Sequence, residues 1–265
     1  MSFLDKYKQI IKTNNSYVCV GLDSEINKIP SFLKTEDDPV LTFNKRIIDT
    51  TYKYTAAYKP NFAFYISQGV KGIETLKKTL DYIPENIIKI VDIKAGDIGN
   101  TMEQYALSVF EYFGADAMTM NILMGNDVIN ACLKPKNAFA FALAITSNES
   151  ANQFFKHHNL YVNIAKLIEE VGADKLGAVV GATRTEDLIT MREMMPETVF
   201  LIPGVGAQGG DLAQVCKNAK FSSDDARFLI NSSRGIIFAD NTEYFATIAG
   251  KEAMKLKELI NEYLC

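Results

Sequence analysis

Apolar residues recur along this chain in two alternating rhythms. Short, nearly continuous runs at 17–20, 56–58, 87–91, 117–120, 138–145, 177–180, 199–202 and 227–230 alternate with stretches where apolar positions return every three or four residues. Continuous runs of this length predict strands covered on both faces, and the second rhythm predicts amphipathic helices. The predicted helices begin with an opening one marked by Phe3, Leu4, Tyr7, Ile10 and Ile11, followed by one from about Leu41 to Tyr54. Others carry Ile73, Leu76, Leu80 and Ile83, or run from Asn100 or Thr101 to Phe113 and from Asn126 to Leu133. Ile164, Leu167, Ile168 and Val171 mark a helix that stops at Gly172, one with Thr185, Glu186 and Asp187 in its first turn follows the sixth strand, and Leu256, Leu259, Ile260 and Tyr263 mark the last. Residues 24–39 are polar and broken by Pro30 and Pro39, which reads as a long loop with room for a turn of helix.

Eight strand–helix units without a linker or a shift in composition predict an α/β fold, a single (β/α)8 TIM barrel domain spanning residues 1–265. An open doubly wound sheet is the alternative. It would place a glycine-rich fingerprint after the first strand, and Gly21-Leu22-Asp23 is not one.

In a barrel of this kind the chemistry sits at the C-terminal ends of the strands. The polar residues of this chain collect there: Asp23, Lys59 with Asn61, Asp92 with Lys94 and Asp97, Ser147, Gln208 and Arg234. Asp92 and Lys94 are two apart, so on a strand their side chains share a face, and charge at the end of an apolar strand carries a desolvation cost. A structural ion pair is one reading; two lysines and three aspartates entering one mouth from different strands favour a reacting centre. The run from Pro203 to Gly210 is rich in glycine, which lets backbone N–H groups approach an anion. Its place after strand seven, with Arg234 just past strand eight, points to a phosphate site rather than a plain tight turn, and its length suits a lid with Gln208 near the tip. Gly181-Ala182-Thr183 reads as packing and turn.

Composition narrows the chemistry further. Hydrophobic residues make up 48% and charged residues 23% of the 265, with a formal net charge of −4, so no basic surface for nucleic acid is expected. Only His157 and His158 are histidines, adjacent in a polar stretch, which argues against histidine catalysis and a multi-histidine metal centre. Cys19, Cys132, Cys216 and Cys265 are widely spaced and form no C-x-x-C pair, which fits a reducing compartment. Residues 1–16 have no apolar signal core and the longest apolar run is far too short for a bilayer, so a cytoplasmic protein without membrane contact is expected.

These residues resemble those of the orotidine 5′-phosphate decarboxylase family, in its longer subgroup with Lys-Pro-Asn-x-x-x-Tyr at strand two. The resemblance rests on Gly21-Leu22-Asp23, Lys59 to Tyr65, the D-x-K-x-x-D-I-x-x-T of Asp92 to Thr101, Thr146-Ser147-Asn148, Pro203 to Gly210 and Ser232-Ser233-Arg234. The D-x-K-x-x-D element alone also occurs in hexulose-phosphate synthases and keto-gulonate-phosphate decarboxylases. Its combination with strands two, seven and eight is the specific part. Ile93 and Ala95 depart from other members, but alternation keeps them off the Asp92 and Lys94 face.

The resemblance implies loss of CO2 from orotidine 5′-phosphate to give uridine 5′-phosphate with no metal or organic cofactor. It makes Lys94 the acid that protonates C6, with Lys59, Asp92 and Asp97 in an alternating charged network and Asp92 against the substrate carboxylate. It also implies a homodimer in which Asp97 and Thr101 serve the neighbouring subunit's site. Asp23 would bind a ribose hydroxyl, Ser147 the pyrimidine amide edge, and Gln208 and Arg234 the phosphate, with Pro203 and the backbone around Gly206 beside it. Asn61 would lie near the sugar or the charged network. Two other readings remain: a magnesium-dependent sugar-phosphate aldolase or decarboxylase of the same superfamily, against which Ser147 and Gln208 argue, and an inactive nucleotide-binding barrel. The second would be expected to break the charged network, yet Lys59, Asp92, Lys94 and Asp97 all stand.

Overall fold

The computed structural model describes residues 1–182, 185–205, 211–222 and 225–265. Among them, eight parallel strands close into a barrel in chain order. They are β1 (Val18–Gly21), β2 (Ala57–Lys59), β3 (Ile88–Ala95), β4 (Ala117–Met120), β5 (Ala140–Ile145), β6 (Leu176–Val180), β7 (Phe200–Ile202) and β8 (Phe228–Ser232). The strands β1, β2, β4, β6 and β7 are buried along their whole length, as near-continuous apolar runs require when helices cover the outside of a parallel sheet. The expected (β/α)8 fold is the observed one.

The helices are α1 (Phe3–Asn14), α2 (Pro39–Thr51), α3 (Phe62–Ile66), α4 (Gly69–Tyr82), α5 (Gly99–Leu107), α6 (Asn126–Cys132), α7 (Leu160–Val171), α8 (Thr185–Met194), α9 (Leu212–Ala219), α10 (Arg234–Ile237) and α11 (Phe245–Leu264). Helix α2 is shorter than its apolar spacing predicts. Pro39 and the Asp38 side chain, which accepts from Leu41 N–H, fix its start, and the chain tightens to a 3-10 turn over Tyr52–Tyr54. Helix α5 likewise gives way to a wider π turn at Ser108–Tyr112 before Gly114, which has φ 66°. The short α3 and α9 are not among the helices expected from the sequence, although Leu212, Val215, Cys216 and Ala219 of α9 have helical spacing. Both begin at side-chain caps: Asn61 accepts from Ala63 N–H, and Asp211 from Ala213 and Gln214 N–H.

The N-terminal end of the barrel is plugged. Phe3 of α1 stacks on Phe139, with ring centres 3.8 Å apart, and meets Phe141 edge-on. The hydroxyl of Tyr7 both donates to Phe228 O and accepts from Phe228 N–H, each at 3.1 Å. Nearby, the buried Arg192 guanidinium donates to the carbonyls of Ala219, Met195, Pro196, Thr198 and Arg227 and lies over the Phe200 ring. Five carbonyl acceptors and an aromatic face satisfy the cation without a carboxylate. With this end occupied by packing and a structural arginine, the barrel is left open at the C-terminal ends of its strands. Among the described residues, no helix is long and apolar enough to cross a membrane.

Candidate active site

Strand β3 carries the centre of the site, and it does so with an irregular backbone. Its pairing with β4 shifts register between Val91 and Ala95, and Lys94 sits at φ 51°, a left-handed conformation costly for a residue with a side chain. The simple two-residue alternation expected of Asp92 and Lys94 therefore does not hold locally, yet their side chains meet. Lys94 Nζ donates to Asp92 Oδ1 at 2.5 Å. The distortion is supported from β4: Thr119 Oγ1 accepts the Lys94 backbone N–H at 2.9 Å and donates to Asp92 Oδ1 at 2.8 Å. Thr119 is a functional candidate that the sequence reading missed. The available signal was a lone hydroxyl in the otherwise apolar run Ala117–Met120.

From the neighbouring strand, Lys59 Nζ donates to the other carboxylate oxygen, Asp92 Oδ2, at 2.7 Å. The carboxylate is thus clamped between two ammonium groups and a hydroxyl. Burial works against its charge, but Lys59 and Lys94 outweigh it and hold the Asp92 carboxyl well below the usual carboxylate range. For Lys59, burial again opposes the charge, and the attraction of Asp92 and then Asp23 wins, holding it above the usual lysine range. The two lysines differ in access. The Lys59 side chain is 6% exposed and the Lys94 side chain 45%, so Lys59 is sealed beneath Asp92 while Lys94 opens to the mouth. Cys19 of β1 also faces this network. Its thiol, pushed up to about 12 mainly by burial, stays neutral and lies 3.6 Å from Asn231 Oδ1.

Most of the other expected residues that are described stand just past the C-terminal ends of their strands. Asp23, just past β1, is half-buried, and its Oδ1 has no hydrogen-bond partner among the described residues. Asn61 is bridged to Asp92 through the backbone, and its side chain caps α3. Ser147 is half-buried past the end of β5. Gly181 lets it sit there, because a Cβ at 181 would come within 2.7 Å of the Ser147 backbone. Pro203 follows β7 and accepts from Ala182 N–H at 3.1 Å. Arg234 is exposed at the start of α10. The β8 end lies close against β1: Ser233 Oγ donates to Gly21 O at 3.1 Å, and a Cβ at Gly21 would approach the Ser233 Cβ to 2.7 Å. Asp97 does not join the triad within the chain; its Oδ1 accepts from Ile98 N–H at 2.8 Å. Thr101 is exposed on α5. Gly206 and Gln208, and with them most of the expected lid, lie outside the described residues.

A cleft of about 840 Å³ opens elsewhere, lined by Ser2, Phe3, Asn137, Ala138, Asp174 and Lys175 among others. Those residues precede β5 and β6, so it lies at the plugged end of the barrel, away from the clamped carboxylate. The cleft holds none of the expected site residues.

Residues 16–246 match the family model described as Orotidine 5′-phosphate decarboxylase / HUMPS family. The chain belongs to this family. Among its relatives, an orotidine 5′-phosphate decarboxylase of Phocaeicola vulgatus is 41% identical over 264 residues, covering 96% of each chain. One of Christiangramia forsetii is 44% identical over 257 residues, covering 93% of this chain and 92% of its own. Among solved structures, the Leishmania donovani OMP decarboxylase superposes with a TM-score of 0.85 at 31% identity, over 100% of this chain and 99% of the other. Family membership thus coincides with a barrel that carries a buried carboxylate, Asp92, clamped between two lysines at the strand ends.

The clamp makes a pH-dependent prediction. The lowered Asp92 contributes stability that is present above the ordinary aspartate value of about 3.9 and is lost as pH falls through its folded value. The raised Lys59 contributes stability present below the ordinary lysine value of about 10.4 and lost as pH rises through its folded value. Lys59→Met should lower unfolding free energy by about 3 kcal/mol between these limits, the low end for breaking a buried pair because Lys94 still serves Asp92. In urea titrations followed by circular dichroism, the gap to wild type should narrow below about pH 4, where the stranded carboxylate takes up a proton. A gap that is absent at neutral pH, or unchanged on acidification, would contradict the clamp.

Proposed function

We propose that this chain decarboxylates orotidine 5′-phosphate to uridine 5′-phosphate, with Lys94 as the proton donor to C6 and with no metal or organic cofactor. The observation that carries the reading is the Lys59–Asp92–Lys94 triad, in which one lysine is sealed and the other opens to the mouth. The named relatives, alike over nearly their whole length, support the same substrate.

In this reading the bond from C6 to the carboxylate breaks and its electron pair stays on C6 as CO2 leaves. Lys94 Nζ delivers a proton to that carbon and regains one from solvent. Its ammonium stabilises charge that exists only as the reaction proceeds, which is where binding energy raises turnover. Lysine suits the step as a compact cation able to release its proton. Lys59, buried and held charged, keeps Asp92 ionised and fixed rather than donating itself. Asp92 would face the substrate carboxylate. Thr119 holds both the Asp92 oxygen and the Lys94 backbone, so it keeps the donor aimed.

Asp23, whose Oδ1 has no partner among the described residues, would take a ribose hydroxyl, and Ser147 the pyrimidine amide edge. Asn61 would lie beside the sugar. Arg234, Pro203 and the loop with Gly206 and Gln208 would take the phosphate, where binding far from C6 can contribute to the reacting centre.

We also assign a homodimer in which Asp97 and Thr101 complete the partner's site. Asp97 makes no ion pair among the described residues of its own chain, and Thr101 points to the surface on α5. Around them, on the adjoining loops after β3 and β4, Ile98, Leu123 and Met124 are more than half exposed, an apolar surface suited to burial against a second copy. The buried Cys19, Cys132 and Cys216 are free thiols, which suits a cytoplasmic setting.

Lys94→Ala should lower kcat by more than the roughly 10²–10³ that follows loss of one electrostatic donor, while nucleotide binding remains measurable by calorimetry. Near-normal kcat would remove Lys94 as the acid. Mixing inactive Lys94→Ala and Asp97→Ala proteins should restore about a quarter of wild-type specific activity, because exchange gives hybrid dimers with one intact site. No recovery after verified exchange of subunits would place Asp97 outside the partner's site.

A further inference from the structure

Asp23 is the one candidate ligand whose carboxylate has an oxygen that is buried and unpartnered among the described residues, so no bond at that oxygen aims it. Its backbone neighbours are held instead. Leu22 N–H donates to Lys59 O at 3.1 Å, tying the end of β1 to β2. The Leu22 carbonyl accepts from Tyr65 Oη at 2.9 Å, and on the other flank Ser24 Oγ donates to Asn44 Oδ1 at 2.6 Å. Asn44 closes the circuit by donating from its amide to Tyr65 Oη and to Thr79 Oγ1, each at 3.0 Å. Ser24, Asn44, Tyr65 and Thr79 are each fully buried and come from the β1 end, α2, α3 and α4.

Two properties separate this cluster from ordinary packing. Its two central members are satisfied: Asn44 uses both amide hydrogens and its carbonyl oxygen, and Tyr65 both donates and accepts, which makes a rigid unit in a low-dielectric interior. Apolar groups of the same shape would serve stability about as well, so a polar network here gains direction rather than free energy. It also converges on the two residues that bracket Asp23. Asp23 in turn contributes to the field that keeps Lys59 charged, so its placement reaches the clamped carboxylate as well as the ligand.

We propose that Asn44 and Tyr65 are positioning residues that aim Asp23 into the mouth by fixing the backbone on both sides of it. The proposal rests on the reading of Asp23 as a ribose ligand. It also explains the tyrosine of Lys59-Pro60-Asn61-Phe62-Ala63-Phe64-Tyr65, whose hydroxyl links the segment that follows Lys59 to the strand end that carries Asp23.

The test is a double-mutant cycle on the full-length protein, with kcat and KM measured for orotidine 5′-phosphate. Tyr65→Phe removes only the hydroxyl. It should raise KM about tenfold, the equivalent of one well-placed hydrogen bond, with a smaller change in kcat. In an Asp23→Ala background the same substitution should change KM less than about twofold, because the group it aims is gone. A KM unchanged by Tyr65→Phe, or raised by the same factor in both backgrounds, would overturn the positioning role. An Asp23→Ala protein with wild-type kcat/KM would instead remove the ribose reading, and the proposal with it. Circular dichroism establishes folding of each variant. Should Tyr65→Phe not fold, Ser24→Ala enters the same cycle with the same expectations, since it removes one hydrogen bond on the opposite flank.

Discussion

The constraint on which the site depends is a single carboxylate taken out of water. Asp92 is 6% exposed, and a buried charge of that kind persists only when it is paired and hydrogen-bonded. Lys59, Lys94 and Thr119 meet that demand from β2, the distorted end of β3, and β4. Three adjacent strands must therefore keep their register for one side chain to remain charged. The left-handed backbone at Lys94 belongs to the same arrangement, because it brings the Lys94 amide to Thr119 while its ammonium returns to Asp92. Replacing any one partner would leave the others with an unmet charge or a wrong direction.

The barrel translates this local demand into a division of labour between its two ends. At the N-terminal end aromatic stacking, the Tyr7 hydroxyl and the five-carbonyl seat of Arg192 turn polar groups inward to internal bonds. At the C-terminal end polar groups are left with capacity: Asp23 keeps a buried oxygen without a partner among the described residues, and Lys94 and Arg234 reach solvent. The glycines mark where strand ends must approach closely. At Gly21 the neighbour is Ser233, and at Gly181 it is Ser147, so small residues set the spacing of the mouth.

Much of this was legible in the amino-acid order. Strands buried on both faces write themselves as uninterrupted apolar runs, so the eight strands and the polar residues at their ends could be read directly. What stayed hidden depended on contacts distant in sequence. Thr119 looks like an ordinary strand threonine until β4 is laid beside β3. Asn44 and Tyr65 lie 21 residues apart on different helices, and nothing in either segment announces their hydrogen bond. The bulge that places Lys94 also escaped, since alternation predicts a shared face for Asp92 and Lys94 by a simpler route than the one the backbone takes. Helix α3 was missed because five residues are too few to display a period, whereas α9 does carry one, in Leu212, Val215, Cys216 and Ala219, and was overlooked behind the glycine-rich run that precedes it.

The central claim is that a protonated lysine beside a clamped aspartate suffices for the chemistry, without a metal. The most direct measurement is the ultraviolet absorbance of orotidine 5′-phosphate during incubation with purified protein in the presence of EDTA. A continuous fall to the spectrum of uridine 5′-phosphate is expected, at a rate proportional to protein concentration and unaffected by the chelator. An unchanged spectrum, or activity that appears only when magnesium is restored, would contradict it.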